Sequence, residues 1–143
     1  MLSSTIYSQP GHLIRRAHQL AWAVFMEEAQ ALDLTPVQYA ILNAIADVPG
    51  IDATRVSELI SFDRATIGSV ISRLEKKKLL LRKPGLSDKR VKRLFLTSVG
   101  GVTIDRIKKV VPRINRRVLE NLSSTDQKHL LRLLHAKTES IGT

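Results

Sequence analysis

Two short helical patterns stand only three residues apart in the middle of the chain, and this spacing limits the folds available to it. Asp52 is a suitable N-cap for the first pattern, which ends at residue 60, and Asp63 is a suitable N-cap for the second, which runs over residues 64–77. Residues 61–63 form the connection. Two short helices joined this tightly form a helix-turn-helix, which the sequence therefore predicts.

The helix predicted over residues 64–77 has two different faces. Its apolar face, together with that of the preceding helix, is expected to point inward with Val56, Leu59, Ile60, Ile67, Val70, Ile71 and Leu74. The opposite face carries small or hydrogen-bonding residues and two arginines: Arg64, Ala65, Thr66, Gly68, Ser69, Ser72 and Arg73. Donors and acceptors of this size suit base edges in the major groove of DNA, so this helix is predicted to read DNA.

Gly68 lies in the middle of this helix, where glycine costs about 1 kcal/mol relative to alanine. One interpretation is that another backbone, such as DNA, approaches closely at this point. The alternative is that Gly68 relieves crowding between packed helices. The sequence leaves both open.

Positive charge is concentrated directly after this helix. The chain has a net charge of +10, and residues 76–93 hold nine basic residues against one acidic residue, Asp88. Strand patterns at residues 79–83 and 91–97, with Leu94 and Leu96 pointing inward, predict a β-hairpin across the turn at 84–88. A basic hairpin at this place is typical of a wing that contacts the sugar-phosphate backbone, although a hairpin facing only solvent is the alternative.

The remaining segments predict long helices. A helix is expected over residues 11–32, and the Thr35-Pro36-x-Gln38 capping box starts another that runs to about residue 46. Thr97 is expected to cap a helix to about residue 121 that is kinked or interrupted near Pro112. A second capping box at Ser124 and Gln127 would start the last helix.

These terminal helices carry apolar stripes that a small central lobe cannot cover. The first helix holds Leu13, Ala17, Leu20, Ala21, Val24 and Phe25, and the last holds Leu130, Leu131, Leu133, Leu134 and Ile141. Association of two chains through these helices is the simplest way to bury them, and a homodimer is predicted.

Several function classes are excluded or disfavoured. Cysteine is absent, so thiolate chemistry, disulfides and cysteine metal sites are excluded. No apolar run is long enough for a membrane span and no secretory signal pattern is present at residues 1–10, so a cytoplasmic protein without a membrane partner is expected. No catalytic motif is found, and His129 and His135 point to different helix faces. We therefore predict a non-enzyme without cofactor or metal.

The chain resembles the MarR family of bacterial transcriptional regulators over nearly its whole length. Residues 34–42 resemble the family's second helix, 56–80 its helix-turn-helix, and Asp88-Lys89-Arg90 with 94–97 its wing. The resemblance implies a mainly α fold with a small β-hairpin, in one domain over residues 1–143. It also implies a DNA-binding lobe at 34–100 and a helical dimerisation region at 11–33 and 101–143. Two lobes of a homodimer would then bind a pseudo-palindrome in double-stranded DNA.

The resemblance also assigns roles in the wing. Arg90 would enter a minor groove, with Lys89 and Lys92 on phosphates, and Asp88 would orient the wing through an ion pair with Arg73 or Arg82. A turn-forming role is the alternative for Asp88.

Two departures from the family pattern stand out. Lys78 replaces the usual glycine after the recognition helix and is expected to adopt a left-handed conformation. Adjacent Gly100 and Gly101 are expected to loosen the junction between the lobe and the dimer helices.

Many members of the family release DNA when a small aromatic acid binds between the dimer helices and the lobe. His12 and Arg16 are four residues apart and could share that crevice, and Trp22 is a further candidate, although interface or solvent positions are equally open for them. The expected function is a sequence-specific repressor released by such an effector. The alternatives are a nonspecific basic chromatin-type protein and a double-stranded RNA binder.

Overall fold

The computed structural model describes residues 4–139, and within them the chain forms seven α-helices and one antiparallel hairpin. A 3-10 turn at Gln30–Leu32 links the second and third helices. The elements are α1 (Ser4–Tyr7), α2 (Pro10–Glu28), α3 (Pro36–Asp47), α4 (Ala53–Ile60), α5 (Arg64–Lys76), β1 (Leu80–Pro84), β2 (Lys92–Leu96), α6 (Ser98–Leu119) and α7 (Ser124–Thr138). The predicted mainly α fold with a helix-turn-helix and a hairpin is confirmed.

Side chains at the helix starts account for most of these boundaries. Thr35 accepts the backbone N–H of Gln38 at 3.2 Å, while the Gln38 side chain accepts the backbone N–H of Thr35 at 3.1 Å, which completes the predicted capping box. Asp52, Asp63 and Thr97 cap α4, α5 and α6 in the same way. Each cap satisfies a backbone donor that the helix itself leaves unpaired.

The start of α7 differs from the prediction. Its N-cap is Ser123, not Ser124, and Ser123 accepts the backbone N–H of Asp126 at 3.1 Å. Gln127 is therefore one position too far along to close a capping box. Its amide instead donates to the backbone oxygens of Leu119 and Leu122, at 3.2 and 3.1 Å, in the connection from α6.

Helix α6 continues through Pro112 without the predicted interruption. The chain on either side of Pro112 keeps helical geometry, so the missing backbone donor does not end the helix. Ile141, which was expected to extend the apolar stripe of the last helix, lies outside the described residues.

One cluster of buried residues joins the central lobe to the terminal helices. In the lobe, α5 contributes Ile67, Ile71 and Leu74 to this cluster, with Val70 half-buried, as predicted. From the terminal helices, α2 adds Val24 and Phe25, and α6 adds Ile104, Ile107 and Ile114. The lobe therefore rests directly on α2 and α6.

Leu59 was expected to point inward, and this expectation is wrong, because its side chain is 49% exposed. The inward face of α4 is centred between Val56 and Ser57, both of which are buried, and Ile60 is half-buried. At about 100° per residue, Leu59 is turned roughly 110° away from that direction.

The junction between the lobe and α6 is tight. Lys78 adopts the predicted left-handed conformation with φ of 61°. A Cβ on Gly100 would lie 1.9 Å from the backbone oxygen of Leu79, so only glycine allows α6 to start this close to the end of α5. Thr97 reinforces the contact, since its hydroxyl donates to the backbone oxygen of Lys78 at 2.6 Å. The expectation that this glycine pair loosens the junction is therefore wrong for Gly100, whereas Gly101 faces open space.

The terminal helices leave much of their apolar surface uncovered. An open groove of about 790 Å³ runs between α2, α6 and α7, and none of the described residues of α7 is buried. The groove is lined mainly by aliphatic side chains, among them Leu13, Ile14, Leu20, Leu130, Leu131 and Leu134. We call it the apolar groove. Within residues 4–139, no helix has both the length and the apolar character needed to cross a membrane.

Candidate nucleic-acid interface

Helix α5 presents most of its predicted DNA-reading residues to solvent. Arg64, Ala65, Thr66, Ser69 and Arg73 are exposed, whereas Gly68 and Ser72 are half-buried. The opposite face is anchored in the core by three fully or almost fully buried aliphatic side chains. The exposed face is therefore held on a rigid support.

The first turn of α5 is organised by Asp63. Its carboxylate accepts the backbone N–H of Thr66 at 2.8 Å and also the hydroxyl of Thr66. These two hydrogen bonds, led by that of the hydroxyl, lower the pKa of Asp63. Because the Thr66 hydroxyl proton is donated to Asp63, Thr66 offers its oxygen lone pairs and its methyl group to a ligand.

Ser69 and Ser72 are in different situations on the same helix. Within residues 4–139 the Ser69 hydroxyl has no hydrogen-bond partner. The Ser72 hydroxyl donates to the backbone oxygen of Gly68 at 3.1 Å and accepts from the Arg82 guanidinium at 2.9 Å. Ser72 therefore orients Arg82, whereas Ser69 is free to contact a ligand.

Arg82 is a residue that the sequence analysis did not assign to the interface. It projects from β1 toward α5, where its Nε lies 3.5 Å from the carboxylate of Glu75. The available signal was its place in the basic hairpin, but only the packing of β1 beside α5 brings it to Ser72 and Glu75.

The predicted hairpin forms with an unbroken register. Five pairs join its strands, from Leu80 opposite Leu96 to Pro84 opposite Lys92, and Leu94 is buried as predicted. Strand β2 is also tied to the connection between α3 and α4, since the backbone N–H of Gly50 donates to Leu94 at 2.8 Å. The hairpin is thus fastened to the lobe.

The predicted ion pair of Asp88 with Arg73 or Arg82 is wrong. Asp88 pairs with Arg90, whose Nε and Nη2 lie 3.1 and 3.2 Å from the two carboxylate oxygens. Asp88 also accepts the backbone N–H of Arg90 at 3.0 Å, so it is a turn-forming residue as well. Arg82 is already engaged by Glu75 and Ser72, and the turn brings Arg90 nearer.

The ion pair between Asp88 and Arg90 affects both the charge of Asp88 and the orientation of Arg90. The side-chain hydrogen bond from Arg90, followed by that of its backbone, lowers the pKa of Asp88. The Arg90 side chain remains 92% exposed while it is paired. Its guanidinium is therefore pre-oriented at the surface and accessible to a ligand.

Three further side chains complete the exposed surface of the wing. Lys89 and Lys92 are exposed, and within residues 4–139 neither has an ion-pair partner. Leu86, in the loop between the strands, is 97% exposed, which the sequence analysis did not anticipate. The loop thus combines cations with one apolar side chain.

A cationic cleft separates α5 from the wing. It has a volume of about 290 Å³, and its charged lining consists of Arg64, Arg82, Arg90 and Lys92 against one carboxylate, Asp52. Gly68 forms part of its wall. A Cβ on Gly68 would meet only the Nη1 atom of Arg64 within 4 Å, at 3.1 Å, so relief of crowding between helices does not explain this glycine.

The three predicted effector residues lie along α2 but do not line the apolar groove. The Nδ1 atom of His12 lies 3.3 Å from Arg15, not Arg16, and its Nε2 atom is buried without a hydrogen-bond partner among the described residues. Arg16 is exposed and unpaired within that range. Trp22 is half-buried, with its ring centroid 5.9 Å from that of His18.

A cluster of charges that the sequence analysis missed joins α2 to α6. Glu28 accepts from Arg117 at 2.7 Å and from Arg113 at 3.1 Å, and Glu27 accepts from Arg117 at 2.9 Å. The hydrogen bond from Arg117 is the main reason that the pKa of Glu28 is lowered. Among residues 4–139, no group of three or more acidic or histidine side chains could hold a metal ion.

Comparisons with known proteins agree with this geometry. A sequence model of the MarR family matches residues 32–91. The structure of the PcaV transcriptional regulator from Streptomyces coelicolor, in complex with its natural ligand, is 30% identical. It covers 99% of each chain with a TM-score of 0.86.

Two further solved structures are similar over most of the chain. BpsR of Bordetella bronchiseptica, whose DNA binding is regulated by 6-hydroxynicotinic acid, is 27% identical. It covers 92% of this chain and 94% of its own, with a TM-score of 0.86. The transcriptional repressor CouR, bound to a 23-mer DNA duplex, is also 27% identical with the same coverage and a TM-score of 0.85.

Proposed function

The chain belongs to the MarR family of transcriptional regulators, and we propose that it is a repressor released from a pseudo-palindromic operator by a small aromatic acid. One observation carries the proposal. The polar exposed face of α5 and the basic wing lie on either side of one cationic cleft, so both are available to the same stretch of DNA.

In this proposal α5 enters the major groove and the wing reaches the adjacent minor groove. Arg64, Ala65, Thr66, Ser69 and Arg73 face the base edges and the flanking backbone. Arg90 enters the minor groove, where narrow A·T-rich segments concentrate negative potential. Lys89 and Lys92 contact phosphates and contribute mainly to the salt dependence of binding. Ser72 contributes through Arg82, which it orients.

The regulator acts as a homodimer. Residues 34–100 form the DNA-binding lobe in this proposal, and residues 11–33 and 101–143 form the dimerisation region. The apolar groove and the exposed leucines of α7 supply the surface that a second copy covers. Two lobes related by a two-fold axis would meet two half-sites of opposite orientation, in the cytoplasm where the operator lies.

We propose an aromatic carboxylate as the effector. BpsR responds to 6-hydroxynicotinic acid and PcaV was solved with a natural ligand, and both match nearly the whole chain. Arg16 is an unpaired guanidinium within the described residues, and its planar fork can grip a carboxylate through two hydrogen bonds. The unpaired Nε2 atom of His12, one turn earlier on α2, is a second polar group without a partner.

The experiment begins by selecting the DNA fragments that the protein binds from the genome of the organism that encodes it. Fluorescence anisotropy at one stated salt concentration then compares the selected site with random DNA, in the presence and absence of benzoates and pyridine carboxylates. A specificity ratio of about 10³ or more supports sequence-specific regulation. Equal affinity for both DNAs would instead indicate the nonspecific chromatin-type alternative.

The effector is tested by a matched pair of arginine variants. Arg16→Gln should abolish release by the active acid, whereas Arg55→Gln, which removes an exposed guanidinium from α4, should leave it unchanged. If both variants respond like the unaltered protein, Arg16 does not bind the effector.

A further inference from the structure

The cleft between α5 and the wing contains more positive charge than its neighbours neutralise. Arg82 is balanced by Glu75 and Arg90 by Asp88, but Arg64 and Lys92 have no carboxylate partner within residues 4–139. The one carboxylate in the lining, that of Asp52, caps α4 by accepting the backbone N–H of Arg55 at 2.8 Å. The cleft therefore has unpaired cations directed at a space of about 290 Å³.

The path of a DNA strand explains what this space is for. If α5 lies in a major groove and the wing in the adjacent minor groove, the sugar-phosphate strand that separates the two grooves must pass between them. That strand then crosses the cleft. Its phosphates are the groups that unpaired guanidinium and ammonium ions bind best.

Gly68 fits this role because no other contact explains it. A side chain there would meet only the guanidinium of Arg64, which folds back over the helix at 3.1 Å. A glycine in the middle of a helix weakens it relative to alanine. What Gly68 provides is room for the Arg64 guanidinium in the wall of the cleft.

We propose that this cleft binds one backbone phosphate in each half-site, through Arg64 and through the Nη1 group of Arg82, which neither Glu75 nor Ser72 engages, with Gly68 leaving room for the Arg64 guanidinium. Ser72 and Glu75 hold Arg82 in place on the floor of the cleft, so its guanidinium is ordered before DNA arrives. A phosphate bound at this site fixes the position of α5 along the DNA. This inference rests on the proposed DNA-binding function and identifies one contact within it.

The test compares two exposed arginines of the lobe. Arg64→Gln removes a guanidinium that lines the cleft and should weaken operator binding about tenfold through loss of one charged contact. Arg55→Gln is the control, since Arg55 lies on α4 outside the lining of the cleft and its guanidinium is paired with Glu58. It should leave operator affinity unchanged.

A second measurement locates the phosphate. Neutral methylphosphonates are placed one at a time along the operator, and the unaltered protein should lose about tenfold in affinity at one position in each half-site. Arg64→Gln and Arg82→Gln should show little further loss at that position and normal losses elsewhere. The proposal is overturned if Arg64→Gln binds as tightly as the unaltered protein, if Arg55→Gln weakens binding equally, or if no position loses its sensitivity in Arg64→Gln. All three outcomes leave the proposed function standing, which fails only if the unaltered protein shows no preference for an operator.

Discussion

The central lobe buries its apolar side chains within one chain, whereas the terminal helices leave many of theirs exposed. Ile41, Leu42, Ile45, Ile67 and Leu74 have no exposed surface, but Leu133 on α7 is 54% exposed. The two regions have similar shares of aliphatic residues but differ in what covers them. The core of the lobe is completed within one chain, with residues of α2 and α6 contributing to it, while the outer faces of the terminal helices need a second copy of the chain.

This difference separates two tasks. A lobe with a closed core can hold the exposed face of α5 and the wing in a constant geometry, as DNA reading requires. A region whose packing depends on a partner can change its arrangement at the interface, and interfaces are where small shifts become changes in domain spacing. The tight seam at Gly100 would carry such a shift from α6 to the lobe.

The largest effect is expected from breaking the interface of the terminal helices. Leu131 and Leu134 line the apolar groove, so Leu131→Glu combined with Leu134→Glu places two carboxylates where the partner would pack. Light scattering on a sizing column should give the mass of one chain. Operator affinity should fall roughly 10²- to 10⁴-fold, because two half-sites are no longer bound by one linked dimer.

The control for this double variant is Val48→Glu, which alters an exposed residue at the end of α3, outside the apolar groove. It should remain a dimer. A double variant that keeps the mass of two chains would show that α7 does not form the interface. The exposed leucines of α7 would then not be covered by a second copy of the chain.

The next effect concerns the seam between the regions. Gly100→Ala forces a Cβ against the Leu79 carbonyl and should cost roughly 1–3 kcal/mol or more of unfolding free energy. Gly101→Ala, one residue later and facing open space, should stabilise by up to about 1 kcal/mol. Chemical denaturation of both variants measures the pair. Equal shifts in the same direction would mean that the seam is not packed as described.

Two serines on α5 are predicted to affect DNA binding in different ways. Ser69→Ala removes an unpaired hydroxyl that we propose contacts a base edge. It should lower the ratio of operator affinity to random-DNA affinity about fivefold or more, which corresponds to about 1 kcal/mol. Ser72→Ala releases Arg82 and should weaken binding to both DNAs more evenly. Competition binding at fixed salt distinguishes them. The assignment of Ser69 is contradicted if its removal leaves the ratio unchanged.

A smaller effect is expected at the wing. Lys92→Ala should lower the slope of log affinity against log salt by roughly 1, without changing sequence preference. Arg90→Ala should also weaken the preference for A·T pairs flanking each half-site. The measurement is a salt titration on two operators that differ only in those flanks. If Arg90→Ala keeps both the affinity and the flank preference, Arg90 is not the minor-groove residue.

The smallest effect is the pH dependence of the link between α2 and α6. Because the folded-state pKa of Glu28 is lowered, its charged form stabilises the fold above the unfolded-state pKa of about 4.3, and this contribution is lost as the pH falls through the lower folded-state value. Glu28→Gln should therefore reduce the melting temperature at neutral pH, and the difference from the unaltered protein should vanish in acid.

A control for this titration is Glu58→Gln, which removes an exposed ion pair with Arg55 inside α4. It should change the melting temperature less than Glu28→Gln, because exposed pairs of this kind contribute little. A difference for Glu28→Gln that persists unchanged into strong acid would show that its charge is not responsible.

The sequence by itself determined the features that depend on near neighbours along the chain. The capping residues Thr35, Asp52, Asp63 and Thr97 act within three residues of their partners, and the predicted helices and hairpin followed from them and from apolar periodicity. The left-handed Lys78 was predicted from the family resemblance, in which glycine usually holds this position. Such features are visible in sequence because their energetics depend on spacing alone.

Only the tertiary structure decided which distant groups meet. The pairing of Arg82 with Ser72 and Glu75, the contact of Gly100 with Leu79 and the cluster of Glu28 with Arg113 and Arg117 all join separate elements. The partner of Asp88 was misjudged because two distant arginines and one near arginine were all chemically suitable, and relative position selected among them. Residue type limits the partners that a side chain can have, but the packing of helices and strands sets the distances at which those partners compete.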